Sequence, residues 1–206
     1  EVEEEVRVEK ALKFWNTYQN HIIGGFLGLC VAVGGTIYYN HSTKVAKEKA
    51  SHEYMQMSQK LASGETEDAL ELAESINGVK TYGALATLAK GSHHARVMED
   101  PDAAIEAYQA LQGMSSQDKK FRDLAGVNEA VQLMSAEKFD DAEAKLNEMD
   151  TPNNPWQAQV RELKALLMLQ KGNKDEALSI FKELSEDASV PRKMRDRAIA
   201  LTEQIQ

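Results

Sequence analysis

Four stretches of this chain, 66–73, 101–108, 139–146 and 174–181, align with one another without a gap. Each places an acidic residue two positions before an alanine: Glu67 and Ala69, Asp102 and Ala104, Asp140 and Ala142, Asp175 and Ala177. Four positions after the alanine stand Ala73, Tyr108, Leu146 and Phe181. The alanines are 35, 38 and 35 residues apart. A unit recurring at such a period is one supersecondary element that cannot bury its apolar face alone, so copies must stack. The acidic residues suit the positive end of a helix dipole and can cap its free N–H groups. Alanine is required where that helix crosses a neighbour closely, and one turn later the larger side chain fills the groove between helices.

Each of these helices has a partner ahead of it. Residues 43–63, 81–98, 118–136 and 155–171 carry apolar residues at helical spacing, for example Leu124, Val127, Val131 and Met134, or Val160, Leu163, Leu167 and Met168. Gly64 and Gly172 stand five residues before the repeated alanine, where a tight helix reversal suits glycine, and Glu99 and Glu137 occupy that place in the middle two units. Pro101, Pro152, Pro155 and Pro191 fall at turns or first helical turns. Residues 191–205 put Met194, Ala198, Leu201 and Ile205 on one face, as the cap of an open-ended stack does. The period is close to the value of about 34 residues typical of tetratricopeptide repeats. The expected fold is therefore all-α: over 43–206, a tetratricopeptide-like solenoid of about four helical pairs closed by a C-terminal capping helix.

Residues 22–39 predict a different element, since they contain no charge and no proline. As a helix this run is about 27 Å long, close to the hydrocarbon thickness of a bilayer, where only a structure that satisfies its own backbone groups is viable. Trp15 and Tyr18 on one side and Tyr38 and Tyr39 on the other suit the headgroup level, and Lys10, Lys13, Lys44, Lys47 and Lys49 can reach lipid phosphates. A cleaved signal peptide lacks its cleavage site after residue 39, a lipoprotein signal would need a small residue where Leu29 precedes Cys30, and a core helix would need an equally apolar partner that does not follow. The segments expected are thus a tail and interfacial stretch at 1–21, a transmembrane helix at 22–39 and the repeat domain from 43. Gly24, Gly28, Ala32 and Thr36 form a stripe of small residues along which another membrane helix can approach. Basic residues nearly balance across the run, so charge alone does not set its orientation.

The formal charge of −9 and pI near 5.1 argue against nucleic-acid binding. Cys30 is the single cysteine, and none of the five histidines has a metal-ligand spacing. Asp and Glu residues sit at helix starts and on polar faces, where a solvated role is expected, and no phosphate loop, nucleophile elbow or zinc-protease motif occurs. The expectation is a non-catalytic interaction scaffold with no cofactor, no metal, no nucleic acid and no small-molecule substrate.

The order of features, beginning with Lys13-Phe14-Trp15 ahead of the apolar run, and the stretch 80–88 (Lys-Thr-Tyr-Gly-Ala-Leu-Ala-Thr-Leu) opening the second unit, resemble the bacterial ancillary Sec-translocon subunits of the YfgM type. The resemblance implies a single-pass inner-membrane protein with a cytoplasmic N-terminus and a periplasmic repeat domain. It also implies association with the Sec translocation channel and a membrane-anchored periplasmic chaperone. A structural accessory subunit of another membrane complex is the alternative. The candidate recognition surface is the first helix of each pair, which lines the concave face of such solenoids, with Tyr82, Leu85, His93, Arg96, Asn128, Gln132, Arg161 and Lys164 as contributors.

Overall fold

The computed structural model describes the backbone of residues 2–205 and the side chains of residues 29–205. The described residues form nine α-helices and no strand: α1 (Val2–Ser63), α2 (Thr66–Ile76), α3 (Tyr82–Arg96), α4 (Pro101–Gly113), α5 (Lys119–Ser135), α6 (Phe139–Met149), α7 (Gln157–Gln170), α8 (Lys174–Glu186) and α9 (Arg192–Ile205). Contacts divide the chain into two units, Glu1–Glu48 and Lys49–Gln206. In the second unit the helices alternate as the periodicity requires. The end of α1, α3, α5 and α7 are the first members of four pairs; α2, α4, α6 and α8 are the second.

The repeated alanines Ala69, Ala104, Ala142 and Ala177 are each 0 % exposed, and the residues four places on are buried as well. A third position, seven after the alanine, also recurs in the core: Ile76, Leu111, Met149 and Leu184. Positions 0, +4 and +7 lie on one stripe of a helix, which is the stripe each second helix turns toward its neighbours. On α5 the buried set is Ala125, Gly126, Val127, Glu129, Ala130, Leu133 and Met134. Leu124 and Val131, which the sequence pattern puts in the core, are instead half-buried, because small residues let α5 approach its neighbours on the adjoining face.

Hydrophobic burial is relayed along the stack. One cluster joins Ala50, Met57, Ala69, Ala73, Ile76 and Ala86; a second joins Ala84, Ala104, Tyr108, Leu111 and Ala125. The largest runs from Ile105 through Phe181 to Met194 and Ala198 on α9, the cap. Beneath the cap the carboxylate of Glu162 on α7 accepts a two-pronged bond from Arg197 on α9, with 2.6 Å from Nη2 to Oε2. Such fork geometry fixes direction as well as distance.

The reversals inside the pairs share one backbone. Gly64 and Gly172 have φ of +85° and +82°, and Glu99 and Glu137, at the same repeat position, have +52° and +57°. In three of the four turns the residue that follows bonds back five places, from Glu65 N to Lys60 O, Lys138 N to Leu133 O and Asn173 N to Met168 O, which closes the helix C-terminus as a Schellman motif. The left-handed conformation costs an L-residue about 1–2 kcal/mol, and glycine gives back part of that in unfolded-chain entropy. Glu137→Gly is therefore expected to raise stability by about 0.5–1 kcal/mol, read as a higher denaturation midpoint with an unchanged slope. An unchanged or lowered midpoint would show that the glutamate has a compensating contact.

Glu67, Asp102, Asp140 and Asp175 sit in first helical turns, as the pattern requires, but none of them caps its helix through its side chain. The side-chain cap in this set is Asp100, which accepts from Ala103 N at 3.0 Å. Asp102 and Asp140 instead receive lysines from the following repeat, Lys138 at 2.7 Å and Lys171 at 3.2 Å. The correction is geometric: a carboxylate inside the first turn points outward along the stack, so it favours the dipole and a neighbouring lysine over the helix's own N–H groups.

Candidate functional site

The first helices stand side by side, α3 against α5 and α5 against α7. Their chemistry differs from that of the second helices. Helices α3, α5 and α7 carry seven basic residues (Lys90, Arg96, Lys119, Lys120, Arg122, Arg161 and Lys164) and three acidic ones (Asp123, Glu129 and Glu162). Helices α2, α4, α6 and α8 carry fourteen Asp and Glu against Lys145, Lys174 and Lys182. The net acidity of the chain hides this division, which makes the first-helix row the electropositive one.

Two of the three acids on the first helices are buried, against the expectation that carboxylates serve only helix starts and polar faces. Glu129 is 2 % exposed and accepts from Gln109 Nε2 at 2.6 Å and Gln112 Nε2 at 2.8 Å, with Lys145 Nζ at 3.3 Å. Glu162 holds Arg197. Both are charges kept in the interior by pairing and hydrogen bonds, as burial demands. The signal for Glu129 was available, since it lies between Val127 and Ala130 on an apolar face, but helical periodicity does not say that α4 and α6 would bring it two amides and a lysine.

The candidate binding residues separate into three groups. Tyr82 and Leu85 are half-buried, and the Tyr82 ring lies 6.2 Å from that of Tyr54 in the packing between the first two pairs. His93 is buried, its Nε2 3.1 Å from Thr66 Oγ1, so it joins neighbouring pairs. The adjacent His94 is half-buried, and burial lowers its pKa. Arg161 and Lys164 both reach Asp150, at 3.2 Å each. Burial pushes the Asp150 carboxyl up, but hydrogen bonds from Gln157, Lys164 and Arg161 outweigh it and hold the group below the usual carboxylate range. Arg96 is exposed, and Asn128 and Gln132 are half-buried on α5. The eight residues are thus not one patch.

In the first unit Ala32 and Thr36 are exposed, and the Thr36 hydroxyl donates to Ala32 O at 2.8 Å. Positions 22–28 of the predicted span, with Gly24 and Gly28, and the interfacial Trp15 and Tyr18 belong to α1 by their backbone, and their side chains lie outside the described ones. Among the described residues no helix is long and apolar enough to cross a membrane.

Antiparallel helix pairs repeating along the chain, with an alanine at every close crossing, define a helical-repeat scaffold of the kind that takes protein partners. The chain belongs to the tetratricopeptide repeat-like domain family, which it matches over residues 12–194. Domains of this kind are generally non-catalytic. No curated protein and no solved structure matches it.

Proposed function

We propose that this protein is a membrane-anchored interaction scaffold, and that it serves as an ancillary subunit of the Sec translocon, linking the channel to a membrane-anchored periplasmic chaperone. One observation carries the anchoring. Residues 29–39 are all exposed and uncharged, with Val31 75 % and Ile37 64 % exposed. Contiguous apolar surface of this kind requires a cover, and a bilayer provides one along an uncharged helical segment. The specific role rests on the resemblance carried by residues 13–15 and 80–88. The same resemblance orients the chain in a bacterial inner membrane, with the N-terminus cytoplasmic and the repeats periplasmic.

Two linked measurements test this. The chain should remain in bacterial membranes after alkaline carbonate extraction, and a variant lacking residues 22–39 should be released. Photocrosslinking residues placed at Asn128 and Gln132 should then capture a channel subunit or an anchored chaperone, while one at the exposed Ser179 on α8 should not. Release of the intact chain by carbonate would remove the anchor. Crosslinks confined to the apolar segment would favour the structural accessory subunit.

A further inference from the structure

The turn from α2 to α3 begins with Asn77-Gly78, the sole Asn-Gly step in the chain. Asparagine is thermolabile, and a glycine after it leaves the next backbone nitrogen unshielded by any Cβ. The fold keeps the reacting groups within reach of each other. Asn77 lies past the last residue of α2. Gly78 is exposed, has open space where a Cβ would stand, and its N–H makes no hydrogen bond among the described residues. One restraint opposes the reaction. The Asn77 carbonyl, in the same rigid peptide plane as Gly78 N, accepts from Gln117 Nε2 at 3.2 Å. Asn77 has a helical ψ of −34°, and joining Gly78 N to Asn77 Cγ in a ring turns that plane far from this value. The rotation requires Gln117 to let go.

We propose that Asn77 is a self-modification site, where the chain converts to aspartate and isoaspartate, and that Gln117 gates the conversion. Gly78 N attacks Asn77 Cγ: an N–Cγ bond forms, the Cγ–Nδ2 bond breaks, and ammonia leaves with the proton from Gly78 N. Water then adds to either carbonyl of the cyclic imide. Opening at Cγ gives aspartate; opening at the backbone carbonyl gives isoaspartate, whose chain runs through Cβ and Cγ and is one methylene longer. Nothing is oxidised or reduced. Both products act on the turn that made them. Asn77 Nδ2 donates to Glu74 Oε2 at 3.1 Å, so an aspartate there faces Glu74 three residues back, where like charges repel. Glu74 in turn holds Lys90 of α3 at 2.6 Å. The longer isoaspartate backbone displaces the carbonyl that Gln117 holds and leaves a buried amide donor without its partner. Conversion therefore loosens the joint between the first two pairs.

The test is mass spectrometry of the full chain kept in mild detergent at mildly alkaline pH, sampled over weeks and digested with trypsin. The peptide of residues 61–80 should gain the mass of an NH2-to-OH exchange, with isoaspartate recognised by an isoaspartyl methyltransferase. Conversion at Asn77 should run severalfold faster than at the exposed Asn147 and Asn173, which precede Glu and Lys, and severalfold slower than in the free peptide 61–80. Gln117→Ala should speed it severalfold without changing Asn147, and Gly78→Ala should slow it. Hydrogen exchange of the converted protein should quicken in α2 and α3 and stay unchanged in α7 and α8. A rate at Asn77 no higher than at Asn147 overturns the proposal. Aspartate without isoaspartate does so too, since water rather than Gly78 N would then be the nucleophile. A rate equal to that of the free peptide, or indifferent to Gln117→Ala, overturns the gate, and unchanged exchange in α2 and α3 overturns the loosening. If Gln117→Ala fails to fold, the free peptide and Gly78→Ala still decide.

Discussion

Replacing Gly83 with alanine is expected to cost about 3 kcal/mol, at the top of the usual range for overpacking, because the added methyl meets backbone and not a side chain that can turn away. A Cβ at residue 83 would strike the carbonyl of Asn77, lying 2.6 Å from its carbon and 2.8 Å from Ile76 O. The turn that brings these groups so close is held from several directions. Gly83 N donates to Val79 O at 2.7 Å, and Thr81 N donates to the side chain of Gln117 at 3.0 Å. Gln117, 3 % exposed, in turn donates from Nε2 to Asn77 O and Val79 O, at 3.2 Å each. Thr81 itself sits at φ +75°. Relief of the clash would break this network and leave a buried amide unpaired. Chemical denaturation of the full chain in mild detergent gives the measurement, with Gly78→Ala as the comparison. Gly78 has a negative φ and open space around its missing Cβ, so that variant should unfold like the parent. If Gly83→Ala did the same, the turn would not be held as described.

Gly83 illustrates what the sequence exposes and what it conceals. It falls in the stretch 80–88 that carries the family resemblance, yet nothing in the periodicity says that a carbonyl lies where its side chain would be. The repeat itself was legible, because Ala69, Ala104, Ala142 and Ala177 obey local rules of helix crossing and starts and stops are encoded within a few residues. The glutamates at 99 and 137 were legible as turn residues only by their place in the repeat, since their backbone is the one glycine adopts at 64 and 172. The candidate surface was less legible. Which face of α3 or α7 remains open depends on where Thr66 and Asp150 sit, residues 27 positions from His93 and 11 from Arg161.

Phe181→Ala should have the larger effect on the stack, a loss of about 3–5 kcal/mol, the usual cost of emptying a buried aromatic site. The ring is 0 % exposed and belongs to the cluster that includes Val160, Leu184, Val190 and Met194, so its removal leaves a cavity where α8 packs on both α7 and α9. The first repeat tolerates alanine at the equivalent place, Ala73, because Met57, Ile76 and the half-buried Tyr54 and Tyr82 close around it. No comparable filling is available around residue 181, where the repeated alanine at 177 leaves its own site small. Phe181→Leu, which copies Leu146 of the third repeat, should recover most of the loss. The consequence should also be local. Each pair of a solenoid contacts mainly its neighbours, so stability is roughly a sum of units and interfaces, and a weakened terminal unit opens before the rest. Hydrogen exchange of Phe181→Ala should therefore quicken in α8 and α9, with Glu162 and Arg197 unable to hold the cap alone, while amides of α3 and α4 keep their protection. Uniform acceleration along the whole chain would mean that the repeats fold as one cooperative block, and the relay of separate cores would lose its energetic meaning.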